Sequence, residues 1–315
     1  MNNILLICPK FFGYEKYIKE QLLKKGYNVF VIYENIHEYN FFFKILTKYI
    51  HFTGEKVLYF YYKKELRKMP NSFDCLFVIR GSSINGDIVK LLEKKKFVRK
   101  VMYQWDSIKN NPNIYVFRSF FDKISTFDSC DAVKFGWNYR PLFYIKDLVP
   151  GLNKKDIDFL FLGSLHSERM KILNVLKQSC GNYRLYAKLF IPFQSYLKNK
   201  ILRKNWVNEE CLTTEAVTLE ESYNLYSRSK VVIDYAHPQQ AGLTMRTIEA
   251  LGNGCIIFTN NEKIKNESFY NPDYVYVYKS ENELKDIIKT VNFTINADYG
   301  NTSKYEISTW LENIL

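Results

Sequence analysis

The stretch that decides the fold reads Lys230-Val-Val-Ile-Asp234-Tyr-Ala-His237-Pro-Gln-Gln-Ala-Gly242-Leu-Thr244-Met-Arg246-Thr-Ile-Glu249-Ala-Leu-Gly252-Asn-Gly254-Cys-Ile-Ile-Phe-Thr259. An apolar run of strand length, Lys230 to Asp234, gives way to a polar loop bounded by Pro238 and Gly242. Helical spacing of apolar residues follows over Leu243 to Leu251, then a glycine turn and a second apolar run, Cys255 to Phe258. Strand, helix and strand in that order predict parallel pairing through a right-handed crossover. Backbone N–H groups at the start of such a helix are free and partly positive, which suits a diphosphate. Thr244 offers a hydroxyl and Arg246 a planar fork for phosphate oxygens. Glu249 lies one turn beyond Arg246 on the same face, where a carboxylate can accept hydrogen bonds from ribose hydroxyls. The ordinary alternative is an Arg–Glu pair on a solvated helix face, and spacing alone favours it.

The same alternation runs outward from this segment in both directions. Towards the N-terminus, strands are predicted at Ile4–Cys8, Val29–Tyr33, Cys75–Ile79, Lys100–Gln104 and Lys123–Phe127. Helices fall between them at Tyr14–Lys25, Ile84–Lys94 and Phe117–Phe121, with Gly26 as a stop for the first. The stretch 141–155, with Pro150-Gly151 and no clear period, reads as a linker. A second series then runs from Asp158–Leu162 through a helix at Ser167–Gln178 to the decisive segment, and a last helix closes the chain around Trp310. With 315 residues there is room for two domains of about 150 each. The expectation is an α/β protein of two Rossmann-like, doubly wound domains facing a cleft: an N-terminal acceptor-side domain over 1–145 and a C-terminal donor domain over 146–315, the last helix packing back on the first. In open parallel sheets ligands sit beyond the C-terminal strand ends, so chemistry is to be sought there.

The run Arg246 to Thr259 resembles the donor-site signature of GT-B glycosyltransferases. It is most similar to the group with an Arg-x-x-Glu-Ala-x-x-x-Gly pattern before a final strand, which includes many enzymes that build bacterial surface polysaccharides such as lipopolysaccharide and capsule. The resemblance implies a GT-B fold, contact of Glu249 with the donor ribose, and a diphosphate held by Arg246 and the loop from His237 through Gly242 and Leu243 to Thr244. Many retaining GT-B enzymes carry another Glu eight residues before the ribose Glu. That position is Ala241 here, which leaves the stereochemical outcome open.

Three further groups bear on the chemistry. Gly163-Ser164-Leu-His166-Ser-Glu-Arg169 follows the first strand of the second series. Gly163 permits close backbone approach, and Ser164, His166 and Arg169 can reach phosphates; the alternative is a turn with Ser167 capping a helix. Asp106 and then Asp128, each after an apolar strand, are the candidates for the base that deprotonates an acceptor hydroxyl, against a plain role as cap or turn residue. Asp156-Ile-Asp158 matches an Asp-x-Asp metal string but precedes its strand, so it reads as structural, and no histidine pair has metal-ligand spacing. No metal and no cofactor beyond the nucleotide-sugar is expected.

Composition narrows the partners. The formal net charge is +12, which attracts nucleic acid, an anionic membrane or phosphorylated small molecules. No nucleic-acid-binding signature occurs, and the alternating plan argues against that class. The stretch Tyr39 to Lys68 mixes aromatics with lysines, and is either a peripheral element touching an anionic membrane or a helix whose aromatics pack inward. Cysteines 8, 75, 130, 180, 211 and 255 are scattered without paired spacing, as in a reducing compartment. With no secretory signal and no apolar run of about 18 residues, the expected location is the cytoplasm, at the inner face of the cell membrane if the acceptor is lipid-linked. The expected activity is transfer of a sugar from a nucleotide-sugar donor to a cell-surface glycan or lipid-linked acceptor; the alternatives are a non-catalytic sugar-nucleotide-binding partner and a basic nucleic-acid-binding protein.

Overall fold

The computed structural model describes residues 2–34, 51–151, 154–202, 209–237, 240–293 and 297–315. The chain forms two units, Met1–Pro141 with Ile307–Leu315, and Leu142–Glu306.

In the first unit the elements are β1 (Asn2–Cys8), α1 (Tyr14–Lys24), β2 (Tyr27–Tyr33), α2 (His51–Arg67), β3 (Ser72–Ile79) and α3 (Gly86–Leu92). They continue with β4 (Lys96–Gln104), α4 (Asn113–Val116), β5 (Lys123–Thr126), α5 (Ser129–Phe135) and β6 (Asn138–Tyr139). The six strands are parallel, in the order β2-β1-β3-β4-β5-β6. Ile4 to Ile7 of β1 are wholly buried, because a central parallel strand is covered on both faces. Gly26 ends α1 at φ 83°, a conformation that costs a residue with a Cβ. Asn85 caps α3 by accepting from the backbone N–H of Ile88 at 3.0 Å.

The second unit runs β7 (Ile157–Ser164), α6 (Ser167–Ser179), β8 (Leu185–Phe190), α7 (Phe193–Ile201), β9 (Leu212–Thr213), α8 (Leu219–Ser227), β10 (Ser229–Asp234), α9 (Met245–Gly252), β11 (Ile256–Thr259), β12 (Val275–Val277) and α10 (Glu281–Thr290). Its parallel sheet has the order β12-β11-β10-β7-β8-β9. That is the Rossmann order, with the topological switch between β7 and β10. Phe159, Phe161, Val231, Ile233 and Phe258 of the sheet pack with Ile172, Leu173 and Leu176 of α6 in one core. A final helix, α11 (Ile307–Ile314), belongs to the first unit, where the Trp310 ring meets those of Tyr103 and Phe77 with centroids 4.6 and 6.3 Å apart.

The structure departs from the sequence reading in places. Residues 141–155 are not a plain linker: Leu142 to Ile145 are buried in the second unit, where the backbone N–H of Ile145 bonds the Tyr223 hydroxyl at 2.7 Å. The Tyr144 ring also lies so close to α9 that a Cβ on Gly252 would be 2.5 Å from it. Of the stretch 39–68, residues 39–50 lie outside the described residues. The remainder is α2, which turns Leu58, Tyr62 and Leu66 inward at helical spacing, so this part packs rather than lying open. Helices α5 and α7 have no counterpart in the sequence reading. Both are short, seven and nine residues, below the length at which a helical period separates clearly from a short apolar run.

Candidate functional site

The ends of β7 and β10 flank the switch point of the second sheet, and the residues of the decisive segment gather there. Asp234, the last residue of β10, has no solvent exposure. Its Oδ1 accepts from Arg246 Nη1 at 2.7 Å and from the Thr244 hydroxyl at 2.9 Å. Its Oδ2 accepts from the hydroxyls of Thr247 at 3.0 Å and Thr259 at 3.2 Å. Burial works against the charge on Arg246, and the adjoining Asp234 carboxylate more than offsets it, so its pKa is raised. Thr244 is the N-cap of α9, accepting from the backbone N–H of Thr247 at 3.2 Å. The Thr244 hydroxyl and Arg246 Nη1 thus both turn to Asp234.

Arg169 is placed differently. It stands in the first turn of α6, and its Nη1 and Nη2 donate to the backbone carbonyls of Ser164 at 3.0 Å and Tyr235 at 3.2 Å. Ser164 is the last residue of β7 and Tyr235 the first beyond β10, the two strands that form the switch point. Its Nε is buried without a partner, and among the described residues no carboxylate pairs with it. Burial first, and then the charge of Arg246, push its pKa down to about 10. Gly163 leaves room for this position, since a Cβ there would lie 3.1 Å from Arg169 Nη1 and press the side chain aside by a few tenths of an ångström. Gly163 and Ser164 are the last two residues of β7, paired with Leu189 and Phe190 of β8, not a turn beyond it.

The α6 cap is His166, whose Nδ1 accepts from the backbone N–H of Arg169 at 3.4 Å; Ser167 is not the cap. Burial, then the charges of Arg169 and His237, lower the His166 pKa, so its ring is neutral near pH 7. The loop after β10 is pinned from β11. Asn260 bonds both the N–H and the carbonyl of Ala236, at 2.8 and 3.0 Å. Asn261 donates to the carbonyls of Ala241 and Gly242 at 3.3 and 3.2 Å. Leu243 is buried, and Pro238 and Gln239 lie outside the described residues.

Glu249 is 3% exposed, and its Oε2 accepts from the Tyr226 hydroxyl at 3.1 Å. It is a buried carboxylate between α9 and α8. The solvated Arg–Glu pair does not form, because Arg246 turns to Asp234 instead. Sequence reasoning missed Asp234 as the organising residue. The available signal was an acid ending an apolar strand, with Thr, Arg and Thr 10, 12 and 13 residues on.

In the first unit a cavity of about 120 Å³ opens at the ends of β1, β3 and β4, lined by Phe11, Tyr14, Glu15, Arg80, Trp105 and Asp106 among others. Asp106 Oδ2 is 2.9 Å from Arg80 Nε, both side chains about one-third exposed. Among the described residues, the non-glycine residues with positive φ are Phe12 at 51° and Arg80 at 68°. Arg80 lines this cavity and Phe12 follows Phe11, which does, and such backbone strain collects at functional sites. Asp128 is buried and caps α5, its Oδ1 accepting from the N–H groups of Cys130 at 2.9 Å and Asp131 at 3.1 Å. In the second unit Asp156 makes a two-pronged pair with Arg228, at 2.8 and 2.6 Å, and Asp158 pairs with Lys230 at 2.7 Å. Both serve the base of the sheet.

Residues 169–294 match a family described as glycosyl transferase-like. Solved structures resemble nearly the whole chain. Sucrose-phosphate synthase from Thermosynechococcus elongatus aligns with a TM-score of 0.66 at 10% identity, covering 99% of this chain and 98% of that one. AviGT4, a glycosyltransferase involved in avilamycin A biosynthesis, aligns with a TM-score of 0.58 at 12% identity, covering 99% and 96%. UDP-GlcNAc 2-epimerase from Neisseria meningitidis, bound to UDP-GlcNAc, gives 0.58 at 9% identity, covering 99% and 98%. No curated protein matches the chain. The protein has the two-domain GT-B glycosyltransferase fold.

Proposed function

We propose that this protein transfers a sugar from a nucleotide-sugar donor to a cell-surface glycan or lipid-linked acceptor, without a metal ion. The observation that carries the reading is Arg169: a half-buried cation at the switch point of the second sheet, held by backbone carbonyls and, among the described residues, in direct contact with no carboxylate. A diphosphate supplies the missing anion. The N-terminal ends of α6 and α9 lie in the same region and add their partial positive charge. Arg246 contributes field from behind, already neutralised by Asp234. Fixed cations and helix ends are what a leaving diphosphate requires, since negative charge grows on it as the anomeric C–O bond breaks. For the acceptor hydroxyl the base assigned is Asp106, the carboxylate, about one-third exposed, that lines the first-unit cavity.

Calorimetric titration with a panel of nucleotides and nucleotide-sugars tests the donor site. Arg169→Ala is expected to weaken the best ligand roughly 10- to 150-fold, the equivalent of about 1.5–3 kcal/mol for a charged hydrogen bond. Unchanged affinity would remove Arg169 from the site and the reading with it. A second reading, nucleotide-sugar binding without transfer, draws on the engagement of both candidate bases, Asp106 with Arg80 and Asp128 in its cap. Incubation of the bound donor with acceptor glycans, followed by NMR of the products, separates transfer from simple binding and from epimerisation.

A further inference from the structure

Helix α7 (Phe193–Ile201) joins β8 to β9 at the edge of the second sheet and buries none of its residues. Domain helices ordinarily turn an apolar stripe inward. Here Phe193, Leu197 and Ile201 recur every four residues and so share one face, yet they are 62%, 46% and 72% exposed. Leu202 follows at 58%. A contiguous apolar patch of this kind marks a contact surface.

The charge around it identifies the partner. From Tyr183 to Leu202 the sequence carries Arg184, Lys188, Lys198 and Lys200 and no acid. Lys200 leans over the Tyr196 ring, with its Nζ 5.6 Å from the centroid, in the manner of a long side chain whose stem follows apolar surface. The next acids are engaged: Glu209 accepts from the Tyr196 hydroxyl at 2.7 Å, and Glu210 pairs with Lys177. A second copy of the chain on this face would bring like charges together. Nucleic acid would use the lysines but has no use for Leu197 and Ile201, since bases stack on aromatic rings. An anionic lipid surface uses both. Among the described residues no helix is long and apolar enough to cross a membrane, so the contact lies in the plane of the interface.

We infer that α7 is a membrane-interface helix, which lays Phe193, Leu197 and Ile201 among lipid headgroups and sets Lys198 and Lys200 against lipid phosphates. This inference does not depend on the donor-site reading. The test is co-sedimentation of the full chain with sucrose-loaded vesicles of phosphatidylcholine, with and without phosphatidylglycerol. The protein sediments with the phosphatidylglycerol vesicles, stays in solution with phosphatidylcholine alone, and is released as salt rises. The double variant Leu197→Ser with Ile201→Ser lowers the vesicle partition coefficient by roughly tenfold or more. Its Tm and nucleotide-sugar affinity stay at wild-type values, because these side chains are exposed and outside the donor site. Three results would each overturn the inference: no binding to phosphatidylglycerol vesicles, undiminished binding by the double variant, or a face whose loss abolishes self-association or RNA binding while vesicles are ignored.

Discussion

Replacing Asp234 by alanine strips four donors of their common acceptor. Arg246 Nη1 loses its partner at 2.7 Å, and the hydroxyls of Thr244, Thr247 and Thr259 lose theirs at 2.9, 3.0 and 3.2 Å. The site is dry: the Asp234 side chain has no exposure and that of Arg246 only 14%. Solvent therefore gives little relief, and breaking one side of a buried ion pair costs about 3–5 kcal/mol. For a unit of this size each kcal/mol lowers Tm by roughly 2–4 °C. The expected fall in Tm of the second unit is then roughly 6–20 °C, read by scanning calorimetry. A double-mutant cycle isolates the pair. Asp234→Asn keeps an oxygen for the threonines and strands the guanidinium; Arg246→Met removes the cation and strands the carboxylate; the double variant removes both charges. It should be more stable than the sum of the singles predicts, by about 1 kcal/mol or more. A Tm loss below about 2 °C for Asp234→Ala, or strictly additive singles, would refute the view that this carboxylate organises the site.

Other outcomes follow from groups in the first unit. Glu34 is buried, and burial raises its pKa from 4.5 to about 7 against the bonds from Ser83 and the charge of Arg80. A raised carboxyl binds its proton more tightly folded than unfolded, so stability falls as pH rises from about 4.5 to 7 and is level above. The loss is roughly 3 kcal/mol across that window, and Glu34→Gln should abolish it in urea titrations at several pH values; an unchanged pH profile would be inconsistent with a buried, titrating Glu34. Asp128→Ala should cost about 0.5–2 kcal/mol, the worth of a helix cap, with turnover retained in the folded fraction. Asp106→Ala should do the reverse, costing less than about 1 kcal/mol in stability as a partly exposed pair while slowing transfer roughly 10²- to 10⁴-fold. Equal turnover in the two variants would deny Asp106 the part of base.

The sheets were legible because their strands are apolar throughout. Ile4 to Ile7, Cys75 to Ile79 and Phe159 to Leu162 are buried on both faces, and strand-length runs between loops have few other readings. A glycine stop made one helix legible too: α1 ends at Lys24, and Gly26 just beyond it takes φ 83°. What sequence could not supply was the choice of partner among charges. Spacing put Glu249 one turn from Arg246, yet rotamers and the adjacent sheet turn Arg246 to Asp234 and Glu249 to Tyr226. Asp106 and Asp128 look alike in sequence, each a strand-end acid. One lines a cavity beside a strained arginine and the other caps a helix, and the difference lies in the loops that follow them.

The two arginines of the second unit show why pairing decides function. Arg246 is held by Asp234 and its pKa is raised, so its charge belongs to the fold. Arg169 has a pKa pushed down to about 10 because burial and Arg246 both disfavour its charge, and the field of Asp234 and the two carbonyls that it bonds offset this only in part. A group left under-compensated in the folded protein gains most from an incoming anion, as a preorganised site should. The two should therefore separate in experiment. Arg246→Met is expected to lower Tm by several degrees. Arg169→Met should leave Tm within about 3 °C of wild type and still weaken nucleotide-sugar binding at least roughly tenfold. Were Arg169→Met to unfold the unit, or Arg246→Met to spare it and abolish binding instead, the roles of structural and ligand-binding cation would have to be exchanged.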